Sequence, residues 1–575
     1  MNLVQFTDEV AKIIKEYDRE QLIRVIHETA RTLPEHKRGD FLMQIRKIAT
    51  KEEKAINEEK LKELKKEYQR LNQYFDKIET GEIFLREEYN DEYDEWYNSS
   101  VDELIYYDPD GIGEKLTEIC RFIHKCSDEG QYKFAVTIGR RLFFQEIQTD
   151  GEYSSEPLQL DEMVYYGLLD YDLKQAALDT LYACYQTETG EKRTGIMFEI
   201  WDTELSMEDL MQYVGGELEN FEDFLSGWIS YLGRKKGTLA GKLYTEAVQL
   251  TNDVDTKWNN ARMYVEEHPK MYLEILNDTS LDIAKALQIG QDGIRQIDKK
   301  YMVRSAVALK TAEYALESGN HHELVQECYW EAFVSNTNAV NYLRFFLNCD
   351  DRIKGKEQLK NIISKHAGKS QTEYGYYNNG ELAENRPDAN MILFLRFLNG
   401  EFIGVLKDGV KCNSALGWSS TFMKEGMALF LLYLYDSENL LPGVYRMLEK
   451  IKTACGFSAV KYKEGTLLEG NQDDSALFHS IFREWQKTTS LTEPDRIRIL
   501  SHLEKMMEKR VAGIMEASRR NYYGECAAYI AAIGEVKELY GEKGGKQIYM
   551  SHFANLYPRR TAFKTELKSY GWIKR

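Results

Sequence analysis

Residues 113–142 read GEKLTEICRFIHKCSDEGQYKFAVTIGRRL, and the spacing of their apolar side chains decides the fold class. Ile119, Phe122 and Ile123 stand at three- and four-residue steps, and Phe134, Ile138 and Leu142 repeat the pattern after a short polar break. Strands alternate every second residue, whereas a helix returns to the same face every third or fourth. Leu173, Ala176, Ala177 and Leu181 continue the helical rhythm. From Gly113 to Leu347 the chain therefore reads as a succession of helices of three to five turns. Small residues recur where such helices must approach closely, at Ala176, Ala177, Ala240, Gly241, Ala312 and Ala315. His268-Pro269 reads as a helix start, because proline in a first turn sacrifices no hydrogen bond. No strict period of about 34 or 40 residues is present, so any repeat is degenerate.

The flanking regions extend this reading. Phe6, Val10, Ile13, Ile14 and Tyr17 mark an amphipathic helix, and Leu22, Val25, Ile26 and Ala30 a second, ended by Leu33-Pro34. Lys51–Lys77 is dense in lysine and glutamate, with Ile56, Leu61, Leu64, Tyr68, Leu71 and Phe75 at near-heptad spacing, as in one arm of a helical hairpin. Ile83–Asp110 is acidic and tyrosine-rich and reads as a loop or short-helix connector closed by the turn Asp108-Pro109-Asp110-Gly111. Lys369–Asp388 has linker composition. Asn399-Gly400 lies between MILFLRFL and EFIGVL, where adjacent apolar pairs favour two short helices around a tight turn over a β-hairpin. The expected fold is all-α: an irregular helical-repeat solenoid of TPR or HEAT type with an N-terminal helical hairpin and a C-terminal helical domain. Its segments are 1–78, the connector 79–111, the array 112–350, the linker 351–388 and the C-terminal domain 389–575.

Composition narrows the function class. The chain has 575 residues, 43% hydrophobic and 12% aromatic, enough to build cores. Only 8 prolines and 8 scattered cysteines exclude a proline-rich fibre and a disulfide-stapled scaffold. The opening MNLVQFTDEVAKIIKEYDRE lacks a basic segment followed by an apolar one, so a cytoplasmic location is expected. The longest apolar run, Met427–Tyr435, is well short of the roughly 20 residues that cross a bilayer, and reads as a buried helix. No membrane partner is expected. The net charge of −19 opposes nucleic acid over most of the surface, yet residues 501–575 hold 14 Lys and Arg against 8 Asp and Glu. Residues 76–110 hold 13 acids and 2 bases.

Searches for chemistry return little. There is no P-loop, nucleophile elbow or H-E-x-x-H motif. Cys120, His124 and Cys126 form a C-x3-H-x-C cluster that matches no zinc spacing, so they read as reduced core residues. His321-His322-Glu323 follows Gly319-Asn320 and reads as helix capping. Neither a metal nor a cofactor is expected, and no reaction is named.

Two segments carry a resemblance. Ala415–Tyr435 (ALGWSSTFMKEGMALFLLYLY) and Arg510–Gly541, with LYPRRTAFKTELKSYGW in the tail, resemble the long helical region of Firmicute proteins associated with SWIM zinc fingers. The resemblance covers roughly the last 190 residues. It implies a bacterial helical scaffold that serves as a protein-interaction platform. The C-x-C and C-x-H ligands of the finger occur nowhere in this sequence, so the resemblance brings neither zinc nor the finger's nucleic-acid role.

The expected function is a helical scaffold mediating protein–protein interaction, with Trp418 of GWSS anchoring the C-terminal core. The alternative is a nucleic-acid-associated adaptor using a basic C-terminal patch. Its candidate binding residues are Arg519, Arg520, Tyr522 and Tyr523 at one helix junction, and Arg559, Arg560 and Lys564 at another. Guanidinium groups beside tyrosine rings suit phosphates and stacked bases. The competing reading is that these cations cap helices or pair with acids of the same chain.

Overall fold

Helix starts follow the polar residues that cap them. In the computed structural model, Asp18, Asp172, Ser206, Asp253, Asp282, Asn338, Asp388, Asp473 and Thr492 each accept a hydrogen bond from a first-turn backbone amide. Each satisfies an N–H that an α-helix leaves without an internal partner. The structure describes residues 3–15, 17–34, 37–39, 41–42, 51–90, 102–151, 156–216, 218–319, 321–367, 380–411, 414–462 and 473–574. The middle of the acidic connector and residues 368–379 of the expected linker lie outside them.

The fold is all-α. The chain divides into two compact units, residues 1–218 and 219–575. In the first, Lys51–Glu79 buries Leu64, Leu71, Phe75 and Ile78, the helical stripe expected of it. Ile112–Asp128, Tyr132–Phe143 and Leu173–Thr187 pack together as a three-helix core. Leu3–Ile14 and Arg19–Thr32 are helical as expected, but Phe6, Ile13 and Ile26 on their apolar stripes are exposed.

The connector differs from its expected loop or short helix. Arg86–Tyr89 pairs antiparallel with Leu104–Tyr107, with Arg86 opposite Tyr107 and Tyr89 opposite Leu104. This is the one ladder of two strands among the described residues. Tyrosine, leucine and isoleucine favour extended pairing, but four-residue strands are too short to show a period of two.

In the second unit consecutive helices pack in sequence, Val303–Ser318 lying against both Ile283–Gln296 and His322–Ser335. Ala389–Leu398 and Phe402–Asp408 are the two short helices expected around Asn399-Gly400, where Gly400 adopts φ 88°. A side chain at that φ is strained, which explains the glycine. Met423–Leu434 is buried all round and forms the centre of the C-terminal core. Arg352–Ala367 is a helix within the interval read as linker.

Residues 380–385 are docked. The Met302 amide donates to Ala383 O at 2.8 Å and the Asn385 amide to Lys300 O at 2.7 Å. The Asn385 side chain accepts from the Thr337 amide at 2.9 Å and donates to Val334 O at 2.8 Å. Six residues of the expected linker thus form a strap across two helix ends.

Candidate functional site

The strap closes one side of a cleft of about 910 Å3 in the C-terminal unit. Its walls come from the starts of the Thr238–Gln249 and Val303–Ser318 helices, the Asn336–Arg344 segment, the strap at Gly380–Ala383, and Cys455-Gly456. Gly241 makes the strap's approach possible, since a Cβ there would stand 2.5 Å from Glu381 Oε1. Glu381 reaches past it to His268 Nδ1 at 2.8 Å, while His268 Nε2 lies 3.0 Å from Leu232 O. The imidazole is stacked on Tyr244 at 4.3 Å and fully buried. With an oxygen within hydrogen-bonding distance of each ring nitrogen, His268 ties the strap to the helices beneath it. The helix expected to start at His268-Pro269 begins instead at Met271, so His268 lies just ahead of it.

One buried arginine, Arg344, lines the cleft, and a second, Arg304, lies between the lining residues Val303 and Ser305 without lining it itself. Arg344 donates from Nε and Nη2 to Tyr462 O at 3.2 and 2.8 Å and from Nη1 to Asn341 Oδ1. Asn341 Nδ2 in turn donates to Asn336 O at 2.9 Å. Arg304 donates to Ile294 O and Ser335 Oγ, each at 2.8 Å, and pairs with Glu331 at 2.6 Å. Charges removed from water persist only when paired in this way. These hydrogen bonds hold the Arg344 side chain in place. Elsewhere in the lining, Leu273, Leu309, Val340 and Leu382 offer apolar surface beside Thr238, Thr245 and Ser305.

Cys455 borders the cleft, but burial pushes its thiol up to about 12, leaving it protonated and weakly nucleophilic at neutral pH. The same holds for Cys120, Cys126, Cys184, Cys328 and Cys526. Both ring nitrogens of His268 face protein oxygens.

No family model matches the chain, and none of the curated proteins matches it either.

The basic residues singled out in the sequence divide into two groups. Arg560 donates to Met515 O at 2.7 Å and Ser518 Oγ at 3.1 Å, closing the C-terminal end of the Glu493–Glu516 helix. Lys564 donates to Pro558 O at 3.0 Å. Arg560 thus caps a helix end, whereas Lys564 bonds a carbonyl in the turn between two helices. Tyr523 is buried on Phe563 at 5.5 Å, and Tyr522 lies over the Arg510 guanidinium at 4.9 Å, so neither ring is a free platform. Arg519, Arg520 and Arg559 are exposed, and their side chains have no hydrogen-bond or ion-pair partner among the described residues. His322 pairs with Asp350 at 3.1 Å, and His321 makes no side-chain cap.

Cys120, His124 and Cys126 have a different environment from a metal site. His124 Nδ1 lies 3.1 Å from both oxygens of buried Asp179, which also accepts from Tyr213, itself 3.3 Å from Ser127. Burial alone lowers the His124 pKa, but the hydrogen bond and charge of Asp179, with Asp128 beyond, raise it above the usual value of 6.5. Burial also raises Asp179, against the lowering pull of Tyr213 and His124. Both groups hold protons more tightly folded than unfolded. The His124 contribution to stability is thus complete below pH 6.5 and is lost as pH rises through its raised pKa. The Asp179 contribution is lost lower, as pH rises above 3.8 through its own raised value. The thermal midpoint of the N-terminal unit is expected to fall as pH rises from about 6 to 8, and less steeply in His124→Gln. An equal slope in both proteins contradicts this assignment.

Proposed function

We propose that the chain is a helical scaffold, its helices stacked as an irregular solenoid, that binds an extended segment of a partner protein in the cleft beside the strap. The supporting observation is the cleft itself: an apolar wall, a polar rim, and a buried Arg344 held by hydrogen bonds to Asn341 and Tyr462 O. An extended polypeptide presents the same alternation of apolar side chains and backbone amides. The size is in keeping with recognition sites of roughly 300–1,000 Å3. The resemblance to helical regions that accompany SWIM fingers points the same way. A bacterial, cytoplasmic setting is part of this proposal. No described helix is long and apolar enough to cross a membrane.

Ala306 lines the cleft without joining the arginine network. Ala306→Trp fills the space while leaving the Arg344 hydrogen bonds intact. Affinity capture with the wild-type chain is expected to yield a stoichiometric protein partner, and Ala306→Trp to reduce its recovery at least about tenfold, the effect of losing about 1.4 kcal/mol. Equal recovery by both proteins contradicts the cleft as the binding surface. Turnover of a metabolite with no protein captured contradicts the scaffold.

A second reading rests on Arg519, Arg520 and Arg559, which are free to meet an external anion. If they grip a nucleic acid, the full chain binds RNA or DNA with a steep salt dependence, and each arginine-to-glutamine replacement that frees a phosphate reduces the slope by about 1. No binding at low ionic strength ends this reading.

A further inference from the structure

A second cavity of the C-terminal unit, about 780 Å3, lies between the first turns of Arg352–Ala367, the Asn399–Glu401 turn and the end of the Asp474–Gln486 helix. Its lining is rich in cations. Arg352, Lys356 and Lys360 succeed one another at four-residue steps, so they share one helix face, and Lys487 borders the cavity from another element. Like charges on one face repel unless something neutralises them.

The nearby carboxylates do not neutralise Lys356. Glu401 is committed to Arg396 at 3.0 Å, and Glu484 reaches Arg352 only at 4.0 Å. Glu357 follows Lys356 directly and leaves the helix at a different angle. The Lys356 side chain has no hydrogen-bond or ion-pair partner among the described residues. Burial is the one influence resolved on its amine, and it lowers the pKa from the usual lysine value. Gly400, held at φ 88°, closes over the amine, and a Cβ there would stand 3.0 Å from Nζ. Phe346 supplies an apolar wall.

A half-buried ammonium without a counter-ion gains most from a ligand that brings two negative charges. Lysines bind phosphate as point charges, with no need for the planar geometry that carboxylates share with arginine. The cavity exceeds a phosphate in volume and falls in the range of small-molecule sites. We propose that this cavity binds a small phosphorylated metabolite, its phosphoryl dianion held by Lys356, Lys360 and Lys487 and its organic part against Phe346. The site is separate from the strap cleft and does not depend on the function proposed there.

Isothermal titration of the full chain with inorganic phosphate and with phenyl phosphate at low ionic strength tests this. Phenyl phosphate is expected to bind saturably at one site, more tightly than inorganic phosphate, because only the ester reaches the apolar wall. Lys356→Gln is expected to weaken it at least about tenfold, the scale of a lost hydrogen bond to a charged group. The variant should melt no lower than the wild type, which shows that it is folded. Lys543→Gln, on an exposed stretch away from the cavity, should bind as the wild type does. Absence of binding by the wild type, equal affinity for both ligands, or binding unchanged by Lys356→Gln would each overturn the proposal.

Discussion

Trp418→Ala is expected to destabilise the C-terminal unit by about 3–5 kcal/mol, the range for truncating a large buried aromatic. The indole is only 2% exposed, in the short 3-10 turn Gly417–Ser420 that leads into the Met423–Leu434 helix. It meets Tyr529 edge to face at 6.0 Å and lies under the Arg510 guanidinium at 5.0 Å. Arg510 is also buried, and donates to Ala415 O at 2.6 Å and to Glu525 at 2.9 Å. Removing the ring leaves a void and strips a buried cation of its cover, two costs of the same sign. Trp418→Phe retains a ring above Arg510 and should cost less. Denaturant unfolding of the full chain reads both, and an unchanged midpoint for Trp418→Ala contradicts its role as an anchor.

Glu535→Ala is expected to have a comparable effect, about 3–5 kcal/mol, because it leaves two buried helix-end amides and a largely buried cation without partners. The Pro442–Ala454 helix begins at Leu441, which has no side-chain oxygen to cap it. Glu535, from the helix Tyr523–Leu539, supplies that oxygen from a distance. Its carboxylate accepts from the Gly443 amide at 3.0 Å and the Val444 amide at 2.8 Å, and pairs with Lys546 at 2.8 Å. The side chain is fully buried. Gly443 is required for this approach, since a Cβ there would stand 2.5 Å from the Ala532 backbone nitrogen. Leu441→Asp in the Glu535→Ala background provides a local cap and should restore about 1 kcal/mol. Recovery by that second substitution separates loss of the cap from loss of packing. If the double variant is no more stable than Glu535→Ala, the capping role is wrong.

Periodicity made much of the fold legible. Met423–Leu434 and the paired helices around Asn399-Gly400 follow directly from clustered apolar residues, because burial is recorded locally in spacing. The strand pair at Arg86–Tyr89 and Leu104–Tyr107 was not legible, as each strand's stabilising partner is remote in sequence and the runs are four residues long. Composition misrepresents residues 380–385 for a similar reason. The wider stretch Lys369–Asp388, rich in glycine, asparagine and tyrosine, looks like linker, yet Asn385 is held by groups about 50 positions earlier.

The candidate sites show the same limit more sharply. The arginine-rich tail stands out in the sequence, but whether an arginine caps a helix, as Arg560 does, or faces solvent, as Arg519 does, depends on what lies opposite it. The strap cleft has no local signature. His268 and Glu381 lie 113 residues apart, and neither belongs to a recognisable motif. Lys356 is one lysine among many until the fold places it in a cavity without a counter-ion.

Hydrogen exchange of the full chain, free and bound to its captured partner, tests the cleft as the binding surface most directly. Slower exchange centred on the strap at Gly380–Ala383, with the neighbouring helix starts at Thr238 and Asn338, is the predicted result. Protection confined to the Arg519–Arg520 junction, with the strap amides unchanged, would contradict it.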